Sequence, residues 1–71
     1  MKKICRSRAE KLYNKGKEII LTPSNCSPTS IFSLIISKQK YAHEFNIVCN
    51  SFYYYNCNTE LGKRLHYYIE D

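Results

Sequence analysis

Seventy-one residues allow one domain with a thin core, because a chain of this size buries only about 60% of its unfolded surface. Two glycines and two prolines against 44% hydrophobic residues exclude a fibrous or low-complexity chain, and the longest apolar-rich run, Ile31 to Ile36, is too short to span a bilayer. The formal charge of +5 is localised: Lys2, Lys3, Arg6, Arg8, Lys11, Lys15 and Lys17 stand against the single acid Glu10 in the first seventeen positions, and the rest of the chain sums to −1.

The N-terminal segment predicts a helix over about residues 7–15. Ser7 and Glu10 have the spacing of a capping box. Ala9, Leu12 and Tyr13, with Cys5 upstream, recur at helical intervals and form one apolar stripe. Gly16 stands where a left-handed C-terminal cap belongs. Arg8, Lys11 and Lys15 then lie beside one another on the wet flank, three or four residues apart.

Lys17 to Thr22 (KEIILT), rich in β-branched residues and ended by Pro23, reads as a strand. Pro23 to Ser30 is a loop by composition, and Ile31 to Ser37 (IFSLIIS) reads as a second strand, paired antiparallel with the first. The stretch 44–57 has conflicting signals. Ile47, Val48, Phe52 and three consecutive tyrosines favour a strand by propensity. Phe45, Val48, Cys49, Phe52 and Tyr55 recur with helical period, and we take the helix because periodicity outranks a weak propensity. Asn56 to Lys63, containing Gly62, reads as a turn. Arg64 to Glu70 reads as a third strand, with Leu65, Tyr67 and Ile69 on one face and Arg64, His66 and Tyr68 on the other. The expected order is α-β-β-α-β: a single two-layer α+β domain, residues 1–71, with a three-stranded antiparallel sheet packed against two helices and a basic segment at 1–17.

Seven tyrosines and three phenylalanines, without tryptophan, point to a core built largely from rings. Three consecutive tyrosines on a helix cannot all face inward, since each step turns about 100°. Tyr55 belongs to the stripe, Tyr54 is expected outside, and Tyr53 between. Exposed tyrosine beside positive charge suits stacking on bases or anchoring a protein interface. The candidate binding residues are therefore Lys3, Arg6, Arg8, Lys11, Lys15, Lys17, Tyr53 and Tyr54. The plain alternative is a solvated basic helix that keeps a small protein soluble. Nothing matches a helix-turn-helix, zinc-finger or RRM signature.

Arg64, His66 and Tyr68, with Lys63 adjacent, also form the polar face that a small metal-independent ribonuclease would need: a base, an acid and cations for phosphate. Neither His43 nor His66 lies in a specific motif, and we assign no catalytic residue. Cys5, Cys26, Cys49 and Cys57 contain no CxxC pair, so no metal or cofactor is assigned. Lys2 and Lys3 are followed by Cys5, Arg6, Arg8 and Glu10 where a secretory leader needs an apolar stretch. The expectation is a cytoplasmic protein with reduced thiols, of which Cys5 and Cys49 are buried and Cys26 is the most accessible.

The segment Asn50-Ser-Phe-Tyr-Tyr-Tyr-Asn-Cys-Asn-Thr-Glu-Leu-Gly62-Lys63 resembles one in small uncharacterised proteins of phages and conjugative elements of Gram-positive, AT-rich bacteria. The upstream loop with Cys26 and Ser27-Pro28 resembles theirs too. The resemblance supplies no catalytic residues and implies a mobile-element setting, in which small inhibitors of host defence, anti-CRISPR proteins among them, have this size and lack of motifs. The expected function is accordingly a non-enzymatic inhibitor that binds a host protein or nucleoprotein complex, with RNA or DNA as a possible direct partner and no membrane. Direct nucleic-acid binding and the ribonuclease are the alternatives.

Overall fold

Among the described residues four strands form one antiparallel sheet, in the order β1 (Lys2–Ile4), β4 (Leu65–Ile69), β2 (Ile19–Pro23), β3 (Leu34–Ile36), with helix side chains packed into its core. The computed structural model describes residues 1–56 and 64–70. In chain order the elements are β1 (Lys2–Ile4), α1 (Arg6–Asn14), β2 (Ile19–Pro23), β3 (Leu34–Ile36), α2 (Lys38–Tyr41), α3 (Phe45–Asn56) and β4 (Leu65–Ile69). The α+β class and the antiparallel sheet agree with the sequence. The order α-β-β-α-β, with three strands and two helices, is corrected to β-α-β-β-α-α-β. The turn expected at Asn56 to Lys63, the place of Cys57 and the side chain of Tyr55 lie outside the described residues.

β1 is the strand that sequence patterning missed. Lys2 and Lys3 look like a charged tail, yet Lys2, Lys3 and Ile4 pair with Ile69, Tyr68 and Tyr67. A three-residue edge strand needs one apolar residue facing inward, and Ile4 is that residue. β4 also pairs with β2, with Ile20 opposite Tyr68 and Thr22 opposite His66, so the last strand lies inside the sheet. β1 and β2 therefore run the same way on either side of β4.

Helix α1 begins one residue earlier than expected. Cys5, in extended conformation, is its N-cap, and no side chain caps it; the Ser7–Glu10 box does not form, and Ser7 Oγ lies 3.4 Å from Cys5 Sγ instead. The C-terminus follows the sequence. Gly16 has φ of 88°, and the N–H groups of Gly16 and Lys17 donate to the carbonyls of Tyr13 and Leu12 at 2.9 Å each. This is the Schellman arrangement, which satisfies carbonyls that the helix leaves without partners.

β3 is shorter than the strand expected at Ile31 to Ser37. Ile31 and Phe32 instead lie in a turn closed by the Ser33 N–H to the Ser30 carbonyl, directly after a turn closed by the Ser30 N–H to the Ser27 carbonyl. Ser33 also shares a 3.1 Å hydrogen bond with Thr22, drawing the loop back to β2. α2 is a single turn opened by Ser37, whose Oγ accepts the Lys40 N–H at 3.2 Å.

The helical period of residues 44–57 prevails over their strand propensity. Phe45, Val48, Cys49 and Phe52 all point into the core. They meet Ala9 and Tyr13 of α1, Ile19 and Leu21 of β2, Ile36 of β3 and Tyr67 of β4. Phe45 sits between two tyrosines, its ring centroid 5.5 Å from Tyr13 and 5.9 Å from Tyr67. The buried Tyr13 hydroxyl donates to the His43 carbonyl at 2.7 Å. The core is thus aromatic at its centre, as the composition implied.

Candidate functional site

β1 ends at Ile4, where the chain turns away into α1, but β4 continues past it. The β1 ladder stops at Tyr67, while Leu65 and His66 still pair with Pro23 and Thr22 on the β2 side. A notch of about 490 Å³ opens at this point of the sheet edge. Lys3 from β1, Arg6 from α1, Arg64 just before β4 and His66 within it line the notch, together with Cys49, Asn50 and Tyr53 of α3. Among the described residues no carboxylate lines the notch. Four basic side chains therefore converge from two segments that are far apart in sequence, Lys3 with Arg6 and Arg64 with His66.

Arg6 is fixed in place. Its Nη1 donates to the Tyr67 hydroxyl at 3.0 Å and its Nη2 to Asn46 Oδ1 at 2.8 Å, while the guanidinium lies 5.7 Å from the centre of the Phe45 ring. One side chain thereby ties α1 to α3 and β4. His66 is held toward its neutral form, first by burial and then by the positive charges of Lys3 and Arg64. In the same lining, burial pushes the Cys49 thiol up to about 11. Cys49 is thus an inert wall of the notch at neutral pH.

The remaining sequence candidates are distributed elsewhere. Arg8 and Lys17 line a separate hollow with Leu12, Ile69 and Glu70, whose carboxylate offsets part of their charge. Lys11, in the last turn of α1, and Lys15, its C-cap, are exposed, and neither lines the notch. Tyr54 is 66% exposed and Tyr53 39%, but only Tyr53 reaches the notch. So Lys3, Arg6 and Tyr53 come together, whereas Arg8, Lys11, Lys15, Lys17 and Tyr54 do not join them. Arg64 and His66, considered in sequence only for a ribonuclease, join the binding set. Asn50 was missed; its signal was the three-residue spacing to Tyr53, which puts both on one flank of α3.

Cys5 is exposed, which corrects its expected burial, and Cys26 is half-buried, so Cys5 and not Cys26 is the most accessible of the described thiols. Cys5 lies outside the stripe because it caps α1 instead of entering it. Its thiol is held below its ordinary range by the hydrogen bond to Ser7 and then by the Arg8 N–H at the helix start. Among the described residues no group of three His, Cys, Asp or Glu is placed to hold a metal ion, and no helix is long and apolar enough to cross a membrane.

A second hollow, of about 330 Å³, lies between β3 and α3 and is mostly apolar, with Leu34, Tyr41, Ile47 and Phe52 in its walls. The notch is the larger of the two and has the convergent charged groups, the mark of a site for a charged ligand. No protein-family model, curated protein or solved structure matches this chain.

Proposed function

We propose that this is a non-enzymatic binding protein that grips the phosphate backbone of a nucleic acid held in a host complex and inhibits that complex by occupying it. The observation that carries this reading is the convergence of Lys3, Arg6, Arg64 and His66 on one notch at the basic end of the molecule. Arginine and lysine at such density are used for phosphate, and Arg6, held by Tyr67 and Asn46, adds a fixed positive charge beside them. The resemblance of the Asn50–Lys63 segment to proteins of phages and conjugative elements supports a mobile-element origin, a cytoplasmic setting and an anti-CRISPR type of target. Capture from host cells with a tagged protein tests the reading: a nucleoprotein is recovered at low salt and lost after nuclease treatment. Recovery of protein without nucleic acid, or of nothing, contradicts it.

One observation favours a second reading. His66 lines the notch with Lys3 and Arg64, whose charges help hold it neutral, as a ribonuclease needs of a base beside phosphate-binding cations. Tyr68, the third residue of that set, does not line the notch. This reading predicts growth arrest on expression, relieved by His66→Ala, and RNA cleavage without added metal. A harmless wild-type protein at high expression removes it.

A further inference from the structure

The two walls of the notch differ in chemistry, and the difference points to a particular form of nucleic acid. On one wall stand Lys3, Arg64 and His66, the groups for a phosphate. On the other, one turn apart on α3, stand Tyr53 and Asn50: a partly exposed ring and an amide that both donates and accepts. A volume of about 490 Å³ lies within the range of roughly 300–1,000 Å³ found for small-ligand sites. The notch is concave and a ligand-sized cavity, whereas a duplex presents its phosphates along a wide convex surface with its base faces stacked away.

We propose that the notch holds one nucleotide unit of a single strand, its phosphate on Lys3, Arg64 and His66 and its base stacked on Tyr53 with Asn50 at the base edge. The proposal rests on the phosphate-binding reading above and specifies its ligand. Stacking tolerates any base, because every base has a π-face, so the site is selective for strandedness more than for sequence. Tyr54, one residue further round the helix, lies outside the notch and has no part in it.

The test compares a short labelled oligothymidylate with a duplex of the same length at low salt, by fluorescence anisotropy, for the wild type, Tyr53→Ala, Tyr53→Phe and Lys3→Ala. Expected is tighter binding of the single strand, a loss of roughly 5- to 150-fold for Tyr53→Ala, and retention within about twofold for Tyr53→Phe, from the usual worth of base–aromatic stacking. Lys3→Ala weakens both ligands. Tyr53 is exposed, so circular dichroism and thermal melting of its variants match the wild type and separate lost stacking from lost fold. Equal binding of single strand and duplex, or a Tyr53→Ala variant as tight as wild type, overturns the inference while leaving phosphate binding intact. Absence of binding to either ligand overturns the phosphate-binding reading itself.

Discussion

His66 reports on the site more directly than any other residue. Burial, Lys3 and Arg64 all lower its pKa below the ordinary 6.5 in the free protein. In the free fold its protonation is therefore disfavoured relative to the unfolded chain, so stability declines somewhat as pH falls below about 6.5. A phosphate placed beside Lys3 and Arg64 would offset that field, so on the proposed site His66 takes up a proton more readily in the complex. Affinity for nucleic acid should rise as pH is lowered through the histidine range, and His66→Gln should flatten the profile; titrations across that range check both. The cysteines give a second residue-scale test. Iodoacetamide should modify the native protein first at Cys5, exposed and shifted toward its thiolate, and last at Cys49, which is buried and shifted the other way. Mass spectrometry of the labelled peptides gives the order, and early labelling of Cys49 would contradict the packing of α3. Phe45, 1% exposed between Tyr13 and Tyr67, is the centre of the core. Phe45→Ala should cost about 3–5 kcal/mol in urea unfolding, enough to unfold most of a domain this small.

Two positions at helix ends test the local backbone. Gly16 ends α1 at φ 88°, and the space beside it is open, the nearest atom to an added Cβ being Gln39 Nε2 at 3.8 Å. Gly16→Ala should therefore destabilise by about 1 kcal/mol from the backbone conformation alone. Ala42 ends α2 in the same left-handed region, at φ 56°. Ala42→Gly should stabilise by about 0.5–1 kcal/mol, the relief of conformation less the added freedom of the unfolded chain. Thermal unfolding should move in opposite directions for the two. The α1 end was legible in sequence because a glycine marked it, whereas the α2 end carries an alanine and left no signal. β4 and α3 were legible as well, the first by alternation through Leu65, Tyr67 and Ile69, the second by the period of Phe45, Val48, Cys49 and Phe52. β1 was not, because a three-residue strand with two lysines has too few positions to show a period, and its pairing with β4 is set by distant residues. The notch depended on that pairing. Lys3 and Arg64 are sixty-one positions apart, and no spacing rule joins them.

At the scale of the molecule, the fold divides the charge of the N-terminal segment into two roles. Lys3 and Arg6 are drawn into the notch with Arg64 and His66, while Lys11 and Lys15 stay outside at the end of α1, where on the proposed function they would act through the long-range field. Lys11→Glu with Lys15→Glu should slow association and weaken binding without changing the melting temperature. Lys3→Glu with Arg64→Glu should weaken binding further, because it removes phosphate contacts directly. The most direct test of the central claim is the salt dependence of that binding. Affinity for a labelled single strand, measured from about 50 mM to about 200 mM salt, should fall with a slope of roughly 0.7 log units per phosphate contact, and the Lys3→Glu, Arg64→Glu protein should show a shallower slope. A salt-independent affinity, no binding at the low-salt end, or an unchanged slope in the double variant would contradict a phosphate site at the notch.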